Sequence, residues 1–442
     1  EVKEFFDLST FLDRKDYINF ISYIIESRNI DIVFNINSKY GYAMLPLIKS
    51  LYPKVAVIDY IHSVDLRDKR GGFGRYTQDF DAYIDKTYTC NNFTTKQLLN
   101  DFNKKTVETI YIGTDYKKFN PDGLNKLQLL SKYHLPSNKK IISFVARFSE
   151  EKRPSLFVDI ASELLKKRDD VYFVMVGNGP LFEEVKRKIK RMKLSTNIML
   201  LGMIYEPVEI YAVSDITLNC SSLEGLALTS FESLAMGVPV ISADVGGQSE
   251  LIDDTVGKII PYNEGMDKTT EINNYVAATL ETLTNLTKLK KNARKKINNN
   301  FTLDQMAKKF EDVFSNIKPK KVEIDSKLAY QIYELYLQIL YDEYNWYCKE
   351  YCQRTYGIYL NDDEVTTNKR HEIVKKIRKF AIKHDVGNEV ETILNFLKTG
   401  YNFLSNLKAL LNNVYNGFKF FFKSICAGLK MSYIFLKKTF KK

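Results

Sequence analysis

Glu224 and Glu232 stand eight residues apart in the stretch SSLEGLALTSFESLAMGVPVI, between two apolar runs of strand character. The run Ile216 to Cys220 has the pattern of a short buried strand, LALTSFESLAM has helical spacing of Leu, Phe and Leu, Gly237 closes that helix, and VPVIS resumes a strand. The unit is therefore expected to be a βαβ element. Its helix N-terminus would aim unpaired N–H groups at the crevice above the sheet, where an anion such as a diphosphate is stabilised. A carboxylate in such a crevice is useful when it accepts hydrogen bonds from hydroxyls. Phosphate and hydroxyls bound side by side point to a sugar nucleotide.

Positive charge comes from a second stretch. KIISFVARFSEEKRP runs from a strand, Ile141 to Ala146, into a turn that sets Arg147 and Lys152 five residues apart just past the strand's C-terminal end, the place where open α/β sheets bind ligands. Downstream, VYFVMVGNGP reads as a strand ending in Gly177 and Gly179, with Pro180 at a helix start. These glycines are either plain turn formers or the lining of the ligand site. VISADVGGQSELI ends its strand with Gly246 and Gly247.

Taken in order, these pieces resemble the C-terminal half of the family 4 retaining glycosyltransferases. The shared pattern is a strand, R-x4-K, a strand ending in G-x-GP, a strand ending in Leu201 and Gly202, then E-G-x6-E, A-x-G-x-PV, and GG-x-x-E matched by Gly246, Gly247 and Glu250. It covers about Lys139 to Asn316, with weaker echoes back to Ile32. The resemblance implies a GT-B fold, two Rossmann-like domains, and transfer of a sugar from a nucleotide-sugar donor with retention of configuration, without a metal or a cofactor. It implies that Arg147 and Lys152 stabilise the departing diphosphate, that Glu224 holds sugar hydroxyls, and that Glu232 holds ribose hydroxyls. The backbone from Gly225 through Leu226, Ala227, Leu228 and Thr229 would line the donor site. Ala227 replaces a second family glycine, which leaves its N–H in place but alters the packing of the sugar against the loop.

His62 follows the strand VAVIDYI where the family often carries a histidine that contacts the donor sugar from the N-terminal side of the cleft. Beside it, DLRDKRGGFGRY gathers Arg67, Lys69, Arg70 and Arg75 around three glycines, either a solvated surface loop or a basic loop suited to an anionic acceptor such as a lipid-linked phosphate. Asp79-Phe80-Asp81 mimics a metal-binding D-x-D, but it does not follow a buried strand and is discounted.

The 442-residue chain is long enough for about three domains at about 150 residues each. The expected division is a partial N-terminal domain over 1–130, a sugar-nucleotide-binding domain over 131–318, a helical extension over 319–360 and a basic amphipathic helical tail over 361–442. The N-terminal part opens as a loop and an amphipathic helix, then strands at Ile32 to Ile36, Val55 to His62, Asp85 to Cys90 and Thr109 to Gly113. It shows no opening strand with a glycine-rich loop, and the chain starts at Glu1, so the N-terminal half is expected to be truncated. Five cysteines lie mostly in apolar runs, without the short Cys/His spacing of a metal site. Their odd number and the lack of a signal peptide favour a reducing cytoplasm.

Past Asn316 a charged linker leads into a long apolar helix with Cys348 and Cys352 one turn apart, and after Glu391 no acidic residue occurs. Lys419, Lys423, Lys430, Lys437 and Lys441 fall on one helical stripe at about 100° per residue. The lysines are too frequent for a membrane span, so residues 400–442 are expected to lie in the plane of an anionic membrane surface, making the protein peripheral on the cytoplasmic face. Such an anchor suits a glycan or lipid-linked acceptor. The competing view is a helix packed on the protein with solvated lysines. A net charge of +11 raises nucleic acid as a ligand, but the charge is concentrated at the C-terminus and no nucleic-acid motif accompanies it. A NAD-dependent Rossmann enzyme is disfavoured by the lack of G-x-G-x-x-G in a first βα turn. A non-catalytic sugar-nucleotide-binding or scaffolding relative is the main alternative class.

Overall fold

A computed structural model of the chain describes residues 4–8, 12–64 and 72–340. The chain divides into two compact units, Ile30–Ile324 and the described parts of Glu1–Asn29 with Asp325–Lys442. In the smaller unit the helix Tyr17–Arg28 ends on Asn29 in the left-handed region, and Arg28 pairs with Glu4. Residues 326–340 are helical, and the buried Tyr333 hydroxyl donates to Arg14 O at 2.9 Å. Cys348, Cys352, the cationic trio Arg67, Lys69 and Arg70, and the basic tail 400–442 lie outside the described residues.

The larger unit contains two parallel sheets. In the first half β1 (Ile32–Ile36), β2 (Ala56–Ile61), β3 (Lys86–Thr89) and β4 (Glu108–Thr109) pair in the order β1-β2-β3-β4. The second half has β5 (Lys140–Val145), β6 (Val171–Val176), β7 (Ile198–Gly202), β8 (Ile216–Asn219), β9 (Val240–Ala243) and β10 (Gly257–Ile260) in the order β10-β9-β8-β5-β6-β7. These strands are runs of Val, Ile and Phe, as expected where helices cover both faces of a parallel sheet. Phe144, Phe157 and Phe173 pack together on one face, while Val174, Tyr211 and Phe231 belong to the cluster on the other.

The order of the second sheet decides where a ligand can sit. From β5 the chain winds outward through β6 and β7, then returns to pair β8 on the other edge of β5 and continues outward to β10. The βα loops after β5 and β8 therefore leave in opposite directions and open a crevice between them. Arg147 to Lys152 form the first of these loops, and Ser221 to Ala227 the second.

One strand is much shorter than its sequence pattern suggests. Thr109 to Gly113 reads as a strand, yet β4 ends at Thr109. Beyond Ile110 the segment turns away to pair Thr114 with Thr302, and a Cβ on Gly113 would lie 2.4 Å from Thr302 O. The bridge leads into the helix Leu303–Asn316, which begins with a capping box from Thr302 and Gln305. Phe310 of that helix is buried against Phe34, Tyr60 and Tyr88. The chain thus ends its second half on the core of the first.

Candidate functional site

The loop after β5 is shaped by one unusual backbone position and what stabilises it. Arg153 has φ of 49°, in the left-handed region that a residue with a Cβ seldom adopts. Its guanidinium forms two hydrogen bonds to Glu271, at 2.9 and 2.7 Å, and stacks over Tyr262 at 4.7 Å. A bidentate pair of this kind resists rotation and offsets the backbone strain. Pro154 then starts the next helix at its first position. Lys152, one residue before this clamp, is held with its ammonium directed at the neighbouring loop.

There it meets Glu224. Lys152 Nζ lies 2.6 Å from Glu224 Oε1, with side-chain exposures of 22% and 9%. A backbone bond from Ser222 N–H to Glu151 O at 2.7 Å joins the same two loops. Arg147 lies on the first loop as expected but does not reach Glu224. Its guanidinium is half exposed and donates to Glu151 Oε1 at 2.5 Å and to Ser149 Oγ at 3.3 Å. Burial pushes the Glu151 carboxyl up, but the Ser149 hydroxyl and the Arg147 cation outweigh it and hold the group below the usual carboxylate range.

Above the crevice stands the start of the helix Leu228–Ala235. Ala227 is its N-cap and offers no side-chain acceptor, and the first bonds run from Ser230 and Phe231 N–H to Ala227 O. The amides of Leu228 and Thr229 precede the first intrahelical donors. Some helix starts in the same unit are closed by side chains, such as those of Asn91, Asp267 and Thr302, while others, such as Phe182–Arg191, also lack a side-chain cap. The helix begins two residues later than its sequence pattern, because Leu226 and Ala227 remain extended in the loop.

Glu232 lies one turn further along, half-buried, and accepts a hydrogen bond from Tyr211 OH at 2.9 Å. Burial raises its pKa, against the smaller lowering by the Tyr211 hydroxyl and the Lys118 cation. Gly177 and Gly179 have φ of 132° and 155°, and Cβ atoms there would lie 1.9 Å from Ala146 O and 2.5 Å from Phe148 O. Both glycines are thus required by close packing beneath the Arg147 loop. The helix expected at Pro180 begins only at Phe182, after a turn at 179–181 that follows from this packing.

His62 comes from the other half. A Cβ on Gly225 would lie 1.8 Å from His62 O, so the backbones of the end of β2 and the Glu224 loop approach closely. The His62 ring packs edge-on against Tyr60 with centroids 4.8 Å apart, and burial lowers its pKa, which favours neutral imidazole. Asp79 pairs with Arg75 at 2.9 Å and Asp81 pairs with the buried Lys104, so the D-x-D lookalike is engaged in ion pairs of its own.

Sequence reasoning missed three supporting residues, Arg153, Tyr211 and Asn91. The first carried a weak signal, since a residue directly before a helix-starting proline is pushed out of the right-handed helical region. Asn91 is a local N-cap of a residue type common at helix starts, whereas Tyr211 acquires its role through its contact with Glu232, 21 residues away.

Parts of the chain are similar to known proteins. Residues 126–296 match the family described as "Glycosyl transferases group 1". "Alpha-monoglucosyldiacylglycerol synthase" of Streptococcus pneumoniae is 27% identical over 195 residues, 43% of each chain. The chain therefore spans less than half the length of that relative. Among solved structures, a glycosyltransferase from Rickettsia africae ESF-5 matches 68% of this chain and 80% of its own at 24% identity, with a TM-score of 0.58. Anabaena Alr3699/HepE in complex with UDP matches 68% of this chain and 82% of its own at 15% identity and a TM-score of 0.59. The fold is GT-B. Its two Rossmann-like halves are the sheets β1–β4 and β5–β10, and the segment with the family match carries Lys152, Glu224 and Glu232.

Proposed function

We propose that this chain is a glycosyltransferase that moves a sugar from a nucleotide-sugar donor to a glycan or lipid-linked acceptor, with retention of anomeric configuration and without a metal. The observation that carries the reading is the meeting of Lys152 and Glu224 at the switch point of the second sheet, beneath the uncapped start of the helix Leu228–Ala235. Breaking the anomeric C–O bond leaves negative charge on the departing diphosphate. A lysine ammonium and a helix N-terminus at that point stabilise the charge as it develops. When the diphosphate approaches, Lys152 gains a second anionic neighbour, and Glu224 is released in part to accept bonds from sugar hydroxyls. Glu232 has two acceptor oxygens for a ribose diol, one of them already oriented by Tyr211. Resemblance to retaining enzymes supports the stereochemical assignment. The nucleotide is a substrate, and no resident cofactor enters the scheme.

Incubating the chain with a panel of UDP-, GDP- and other activated sugars, and following release of free nucleotide, tests the reading. Acceptor-dependent release from one donor class is the expected result. Tight binding of a donor with no release under any acceptor would instead make the chain a non-catalytic relative.

The lipid side of the proposal rests on the printed name of the pneumococcal relative, a diacylglycerol glycoside synthase, and on the lysine stripe of residues 419–441. Among the described residues no helix is long and apolar enough to cross a membrane. We place the tail in the plane of an anionic surface on the cytoplasmic side, where each lysine near the surface contributes about 1 kcal/mol. In co-sedimentation, the full chain should pellet with anionic vesicles more than with neutral ones, and removal of residues 400–442 should abolish the difference. Equal pelleting of both forms would end the anchor proposal.

A further inference from the structure

Glu250 has a geometry that donor chemistry does not explain. In the helix Asn92–Asp101 the first i→i−4 bond runs from Thr95 N–H to Asn91 O. The amides of Asn92, Phe93 and Thr94 therefore have no acceptor within the helix. Asn91 Oδ1 accepts from Thr94 N–H at 2.6 Å, a local cap. The other two amides are capped from the opposite half of the fold: Asn92 N–H donates to Glu250 Oε2 at 2.9 Å and Phe93 N–H to Glu250 Oε1 at 2.6 Å. Tyr111 OH donates to Glu250 Oε2 at 2.6 Å and in turn accepts from Asn92 Nδ2 at 2.7 Å. Both carboxylate oxygens are thus occupied by donors of the first half, at the end of a helix whose dipole favours negative charge.

The same short element reaches the candidate site. Three residues before Glu250, Gly247 N–H donates to Gly225 O at 2.7 Å, and a Cβ on Gly247 would lie 2.8 Å from Asn91 Cβ. Gly246, with φ of 59°, leaves no room for a side chain because a Cβ there would lie 2.0 Å from Glu224 O. Contacts run without a break from the helix start through Glu250, Gly247 and Gly225 to His62. Separating the halves would strip two helix-start amides of their acceptor and leave a carboxylate without its donors.

We propose that Glu250 is a positioning residue, a helix cap supplied from the second half that holds the two halves closed and keeps His62 against Gly225 beside the Lys152–Glu224 pair. Its kinetic consequence rests on the transferase reading above. Lys152, Glu224 and Glu232 all belong to the second half, so nucleotide binding should survive loss of the cap, whereas a reaction that needs both halves should not.

Glu250→Gln tests this in the full chain, because the amide NH2 must face one of the donors whichever way the side chain turns. Tyr111→Phe is the milder companion, leaving the carboxylate and both amide bonds intact. For Glu250→Gln, kcat should fall on the order of 10- to 100-fold, the scale expected when groups are misplaced by about 1 Å. UDP affinity by calorimetry should stay at the parent value, and hydrogen exchange at the amides of Asn92 and Phe93 should accelerate. Tyr111→Phe should shift kcat and exchange in the same direction by less. Parent-like exchange at both amides in Glu250→Gln, or UDP affinity that drops in step with kcat, would overturn the proposal. Exchange remains decisive if the parent chain turns over no donor, a result that would sink the transferase reading alone.

Discussion

Lys152→Ala should lower turnover by on the order of 100-fold or more, the loss expected when a preorganised group facing a developing anion is removed. The structure sharpens this expectation because Lys152 is mostly buried and already within 2.6 Å of Glu224. An ammonium held by its neighbours needs no reorganisation when charge appears on the diphosphate. Its removal also leaves Glu224 without its cation in a largely desolvated position, so part of the effect will be a lower thermal midpoint. Turnover must therefore be measured below the onset of unfolding, with the midpoint recorded beside it. Arg147→Ala should cost less, since that guanidinium is half exposed and bonded to Glu151. Turnover near the parent value in folded Lys152→Ala would remove the leaving-group role.

The two glutamates should separate by ligand. Glu232→Ala should weaken binding of the free nucleoside diphosphate, whereas Glu224→Ala should mainly weaken binding of the sugar-bearing donor. Loss of one or two hydrogen bonds to a charged group corresponds to about 1.5–3 kcal/mol each, or roughly 10- to 100-fold per bond in affinity. The pH profile provides an independent check. Burial raises the Glu232 pKa, so this carboxylate takes up its proton at a higher pH than an ordinary glutamate at about 4.3. Protonation removes acceptor capacity, and nucleoside diphosphate affinity should begin to fall on the acid side above the ordinary carboxylate range. Glu232→Gln should lack that component, and the difference between the two profiles isolates it from titration of the nucleotide. Equal loss of nucleoside diphosphate affinity in the two alanine variants would show that the carboxylates have been assigned wrongly.

Much of the architecture is legible in local pattern. β1 occupies Ile32–Ile36 as its run of apolar residues indicates, and β5, β6 and β8 differ from expectation by a residue or so at their ends. Such strands are legible because Val, Ile and Phe runs bounded by turn residues satisfy a parallel sheet whatever lies beyond it. The Arg147–Lys152 loop and the Glu224 loop are visible for the same reason, as short polar segments at strand ends. β4 departs from its pattern because the apolar continuation, Ile110 to Ile112, packs in the cores without staying in the sheet.

What local pattern lacks is every relation between distant loops. The order β10-β9-β8-β5-β6-β7 places Lys152 beside Glu224, 72 residues later, yet nothing in either stretch specifies that β8 returns to the edge of β5. Arg153 finds Glu271 across 118 residues, and Glu250 caps a helix that begins 158 residues before it. An unpaired amide at a helix start, or a guanidinium beside a strained turn, demands an acceptor but does not say which one. That choice is made when the chain folds back on itself, because only then are two half-buried polar groups close enough to satisfy each other and exclude the alternatives. Residue types and spacing therefore pointed to the loops that form the candidate site, and folding alone determined which side chains meet there.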